Sequence, residues 1–174
     1  FNSSFFKEEE VWLSKIKSPA ELISSTMRLV EDYREPKPGI TLISQECNSQ
    51  GQALMDPPSV EGWHTGAEWI DSGSLLRRIN FVADRMGDLS LPGVQDIVNR
   101  VRAMGTISSE QLVDSCLDFI GPMEVGERTR EELLTHAEQN GEVGWDKEES
   151  ANSSTQRVTE MLQLIASCRE YQFG

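Results

Sequence analysis

Apolar residues recur along the chain at helical spacing, and no stretch of regularly alternating apolar and polar residues competes with that pattern. Phe5, Phe6, Val11, Trp12 and Ile16 predict a first, aromatic-weighted helix ending near Lys17. Ser18-Pro19-Ala20-Glu21 then combines an N-cap serine, a proline at the first helical position and a glutamate that closes a capping box, so a second helix starts at Pro19. Its stripe is Leu22, Ile23, Thr26, Met27 and Val30, the spacing of one buried face. Glu35-Pro36-Lys37-Pro38-Gly39 cannot continue a helix, because each proline lacks an N–H and disfavours helical geometry in the residue before it. A third helix is expected from about Thr41 to Leu54, with Leu42, Ile43, Cys47 and Leu54 facing inward.

From Met55 to Gly73 the pattern changes. Two consecutive prolines, Pro57 and Pro58, stand with several glycines and two tryptophans, Trp63 and Trp69. Large aromatics are costly to leave in water and proline limits the conformations to be lost, so this reads as an ordered loop. Helical spacing resumes at Ser74 with Leu75, Leu76, Ile79, Val82, Ala83 and Met86, ending at Gly87. Leu91-Pro92-Gly93 punctuates again; Val94, Ile97, Val98, Val101 and Met104 then form a clean amphipathic helix stopped by Gly105. Ser108 to Gln111 supplies another capping box, followed by Leu112, Val113, Cys116, Leu117 and Ile120. Leu133, Leu134 and Ala137 mark a short helix. Asn140 to Ser154 reads as an exposed connection, and a last helix from about Ser154 carries Val158, Met161, Leu162, Ile165 and Cys168. The fold class is all-α: an irregular bundle of about eight helices with an ordered Pro/Gly/Trp loop. We read residues 1–174 as a single helical domain, with a subdivision near 88–92 as the alternative.

Composition narrows the function classes. A chain of 174 residues can bury roughly two-thirds of its unfolded surface and needs no metal or disulfide staple. Sixteen basic against twenty-nine acidic residues give 16 − 29 = −13, which argues against a nucleic-acid or anionic-membrane surface. No stretch reaches the ~20 apolar residues of a membrane span. Cys47, Cys116 and Cys168 form no CxxC and read as small buried side chains. Nucleophile-elbow, phosphate-loop, dinucleotide, zincin and EF-hand signatures are all missing, so no cofactor and no metal is implied. The chain opens at Phe1 without an initiator methionine, which suggests a piece of a larger protein.

Candidate chemistry concentrates in the loop and the turn after it: Glu61, Trp63, His64, Glu68, Trp69, Asp71 and Arg77. A histidine flanked by carboxylates can serve as a general base or join them at a metal. The plainer reading has Trp63 and Trp69 anchoring the loop in the core while His64 and the acids face solvent or cap the following turn. Arg77 or Arg78 is expected to bond loop carbonyls, Asp56 or Asp71 and so hold the loop's shape. Glu132 and His136 stand one helical turn apart and could pair. Residues 124–149 carry nine acids against three bases, read as a solvated face, with cation collection or a basic partner as the alternative.

Three stretches resemble the bacterial domain-of-unknown-function family 1800. The first is Phe1-Asn2-Ser3-Ser4-Phe5-Phe6-Lys7 with Lys15-Ile16-Lys17-Ser18-Pro19-Ala20-Glu21-Leu22. The second and most specific is Pro57-Pro58-Ser59-Val60-Glu61-Gly62-Trp63, then Gly66, Trp69-Ile70 and Leu75-Leu76-Arg77-Arg78-Ile79-Asn80-Phe81. The third is Ser167 with Glu170-Tyr171-Gln172-Phe173. The resemblance implies the carboxyl-terminal part of a larger helical protein with an extracytoplasmic address. It also implies a protein partner, the sulfatase-like product of a neighbouring gene. It carries over no catalytic residues. A non-enzymatic interaction module of an exported or envelope protein is therefore the leading expectation, and part of a hydrolase-like enzyme completed by other residues is the rival.

Overall fold

The structure, a computed structural model, describes residues 3, 14–121, 123–139, 141–146 and 148–173. Seven α-helices lie among them: α1 (Pro19–Leu29), α2 (Ile40–Ser49), α3 (Ser72–Gly87), α4 (Pro92–Ala103), α5 (Ser109–Ile120), α6 (Glu127–Glu138) and α7 (Glu148–Ser167). The aromatic helix expected over Phe5–Lys17 falls mostly outside the described residues. No strand occurs among the described residues, and isolated antiparallel pairings join Ile16 to Phe173 and Ile107 to Val143. The all-α reading is correct.

Local chemistry sets most helix starts. Ser18 Oγ accepts from Glu21 N while Glu21 Oε2 accepts from Ser18 N, with Pro19 at the first position of α1. Ser108 and Gln111 repeat the reciprocal cap on α5. By contrast, the N-cap of α6 is Gly126, which has no side chain to offer; Glu170 Oε1 reaches across from the carboxyl-terminal turn to accept from Gly126 N and Thr129 Oγ1, both at 3.0 Å. Burial alone would raise the Glu170 pKa, but these bonds hold it below the usual carboxylate value.

The long central pair is α3 against α7, with α1, α4, α5 and α6 packed around it. Buried side chains from α1 and α3 to α7, including Leu22, Val82, Val94, Val113 and Leu162, join one cluster that spans both sides of the Asp88–Leu91 turn. Gly93 does more than punctuate. It lies in the first turn of α4, donates its N–H to Val30 O at 3.0 Å, and brings α4 against the end of α1. A Cβ there would stand 2.6 Å from Val30 C and 2.7 Å from its Cα, and closer still to Leu29 O. Backbone cannot swing aside as a side chain can, so Gly93→Ala should cost about 1–3 kcal/mol by overpacking. Urea unfolding at neutral pH checks it; an unchanged midpoint would mean that α4 slides away freely.

Three expectations need correction. The helix predicted over Thr41–Leu54 stops at Ser49, because Gly51 takes the left-handed conformation at φ 96° and the N–H of Gln52 turns back to Cys47 O. Leu54 therefore lies outside α2, and both Leu42 and Leu54 are exposed rather than inward. Met104, assigned to a buried stripe, is exposed just beyond α4. Finally, Asn140–Ser154 is not a mere surface connection: Val143 is fully buried and exchanges both backbone hydrogen bonds with Ile107, and α7 starts at Glu148.

Candidate functional site

The loop between α2 and α3 is fixed at two points. Trp69 ends a short 3₁₀ turn, Gly66–Trp69, and is buried at 5% exposure. Trp63 is only half-buried, its ring held by an Nε1 hydrogen bond to Ala53 O at 3.0 Å. Both indoles anchor the loop, yet Trp69 stands apart from the main apolar cluster, a satellite beneath the loop. Asp71 caps α3: its Oδ1 accepts from Gly73 N and Ser74 N at 2.7 and 2.9 Å, and Ser74 Oγ accepts from Asp71 N while donating to Trp69 O at 2.8 Å. The backbone donors Ser74 and Gly73 hold the Asp71 carboxyl below its ordinary pKa.

His64 Nδ1 and Glu68 Oε2 lie 3.0 Å apart, and both side chains are well exposed, at 61% and 65%. Glu61 is exposed, with its backbone N–H bound to Ser59 Oγ. The loop brings His64 to Glu68 rather than to Glu61 or Asp71, and sets Asp71 to work as a cap. Glu132 pairs with Arg128 at 3.0 Å, one turn back, rather than with His136. No group of three or more His, Cys, Asp or Glu residues at metal-holding geometry occurs among the described residues.

Neither arginine after the loop bonds it in the expected way. Arg77 is exposed and lines a cleft of about 340 Å³ with Glu46, Asn80, Asp84, Arg85 and Asp88. Arg78 is fully buried, donating from Nε to Gln172 Oε1 at 3.0 Å and from Nη2 to Lys17 O at 2.7 Å. It thereby staples the residues before α1 and the carboxyl-terminal turn to α3. Burial pushes its pKa down to about 10, and burial, followed by the charge of Arg78, also lowers that of Lys17. Arg78 Nη1 and Gln172 Nε2 are buried without a partner.

These residues were missed as a unit, although one signal was present. Arg78 stands three residues before Phe81 and four before Val82, within helical reach of both, and Ser74, Arg78, Phe81, Val82 and Met86 are the buried face of α3. Asp32 was missed too. It is buried in the turn after α1 and takes Arg85 Nη1 at 3.0 Å together with Lys37 Nζ, tying that turn to α3.

A profile of the family described as "Protein of unknown function (DUF1800)" matches residues 1–173, and the chain belongs to that family. No curated protein and no solved structure matches the chain.

Proposed function

We propose that this member of the family is a helical protein-interaction module whose contact surface is the Leu54–Val60 stretch of the α2–α3 loop. The observation that carries the reading is Met55. It is a non-glycine residue held in the left-handed conformation at φ 65°, with its apolar side chain 94% exposed. Strained backbone that displays an apolar side chain to water weakens a fold unless something else uses it. Leu54 and Val60 are exposed beside it in sequence, and Trp63 and Trp69 hold the loop's base. A rigid apolar display of this kind fits a hydrophobic patch on another protein.

From the family resemblance, the partner is the sulfatase-like product of the neighbouring gene and the setting is extracytoplasmic. The enzymatic alternative would rest on His64 and Glu68. Both stand in solvent and neither lines the clefts flanking α3, so the pair lacks the enclosed surroundings that general-base chemistry draws on.

Co-purification with the neighbouring gene's product tests the reading. The Met55→Asp/Val60→Asp double variant should bind at least about tenfold more weakly, as loss of two central apolar contacts implies, with its unfolding temperature unchanged. Equal capture of the variant, or capture no better than that of an unrelated acidic helical protein, would overturn it.

A further inference from the structure

A second cavity, of about 460 Å³, opens between the start of α3 and the carboxyl-terminal turn. Its size falls within the roughly 300–1,000 Å³ of small-molecule sites. Ile16, Ala67, Ile70, Leu75, Ile79 and Phe173 make its walls apolar. The remaining described lining residues are Ser167, Cys168, Arg169 and Gln172, so no carboxylate is among them, in a protein of net charge −13.

The polar groups are unevenly spread. Arg169 is exposed at the mouth, its guanidinium 5.3 Å from the Phe173 ring centroid. Gln172 lines the cavity yet is only 4% exposed, and its side chain is half used: Oε1 accepts from Arg78 Nε, while Nε2 has no partner. Arg78 cannot turn away to help, since Nη2 is committed to Lys17 O. Gln172 Nε2 is itself closed off from solvent, so the charged group open to the cavity is Arg169. The mouth thus carries a cation and the walls an oily lining.

We propose that this cavity binds a molecule with an unbranched apolar chain and one carboxylate end. The chain lies against Ile70, Leu75 and Ile79; the carboxylate meets Arg169. A single cation matches one monoanionic head, and an uncharged head leaves Arg169 unanswered. The site lies apart from Met55 and Val60 in its lining residues, so it stands or falls independently of the interaction surface.

Dodecanoate, below its micelle-forming concentration, is the probe, with dodecanol as the uncharged comparison, titrated into the 174-residue chain. Calorimetry should give saturable one-site binding, and methyl spectra should shift at Ile70, Leu75 and Ile79. Arg169→Glu, on an exposed side chain, removes one attraction and adds one repulsion, so dodecanoate should weaken about tenfold while weak dodecanol binding holds steady. Ile79→Trp should fill the space and abolish binding; should that variant fail to fold, Arg169→Glu carries the test alone. No binding, shifts confined to other methyls, equal affinity for dodecanol, or indifference to Arg169→Glu would each overturn the proposal.

Discussion

Arg78→Ala is expected to destabilise the chain by about 3–5 kcal/mol, the sum of a cavity left by a long buried side chain and two acceptors, Lys17 O and Gln172 Oε1, deprived of their donor. The guanidinium is not itself a source of stability. Its folded pKa is pushed down to about 10 by burial, so charging it at neutral pH works against the fold, and stability from this group rises only as pH climbs through about 10 toward the ordinary arginine range. What Arg78 contributes is connection. It joins three segments far apart in sequence, through bonds that offset part of the cost of a buried charge. Arg78→Met should therefore cost markedly less than Ala, because the stem still fills the space while the burial of charge disappears. Urea unfolding of both variants at neutral pH decides it. An Arg78→Ala midpoint near that of the unaltered chain would mean that the carboxyl-terminal turn docks without the staple.

The same residue explains what could be read in advance. Helices whose boundaries are set by local chemistry were legible: the capping boxes at Ser18 and Ser108 and the proline starts at Pro19 and Pro92 act within one turn. The stripes of α5 and α7, and that of α4 as far as Val101, follow from hydrophobic period, because each of these helices has one buried face; of the stripe read for α3 only Val82 and Met86 are buried, and Leu76 is exposed. What escaped depends on partners distant in sequence. Val143 is buried because Ile107 pairs with it, 36 residues away (143 − 107 = 36), and nothing in the residues around Val143 announces that. Glu170 caps α6 from 44 residues beyond Gly126. The early end of α2 was a missed local signal, Gly51, outweighed in the reading by Leu54 further on. In the loop, the presence of order was legible from Pro57, Pro58 and the tryptophans. Which acid would cap and which would meet His64 was not, since Asp71 and Glu68 are equivalent until the turn Gly66–Trp69 sets their positions.

The two tryptophans separate in a way that tests how the loop is held. Trp69→Ala should cost about 3 kcal/mol, at the low end for a buried tryptophan, because its pocket is a satellite that can partly collapse rather than part of the close-packed cluster around α3 and α7. Trp63→Ala should cost about 1–2 kcal/mol, since a half-buried ring loses less area and its single Nε1 bond to Ala53 O is replaceable by water. The larger loss also reaches α3. Trp69 O is the acceptor for Ser74 Oγ, and Ser74 is half of the cap that Asp71 builds, so undocking Trp69 loosens the first turn of α3. Limited proteolysis should then cut Trp69→Ala between Leu54 and Trp63 at denaturant concentrations where Trp63→Ala is still intact. Matching unfolding midpoints and matching cleavage in the two variants would show that the loop has one anchor of the two indoles together. The display of Met55 and Val60 would then be a property of the whole loop and not of the Trp69 seat. A steeper loss for Trp69→Ala, with capture of the partner falling in parallel, ties the exposed apolar surface to the buried ring that orients it.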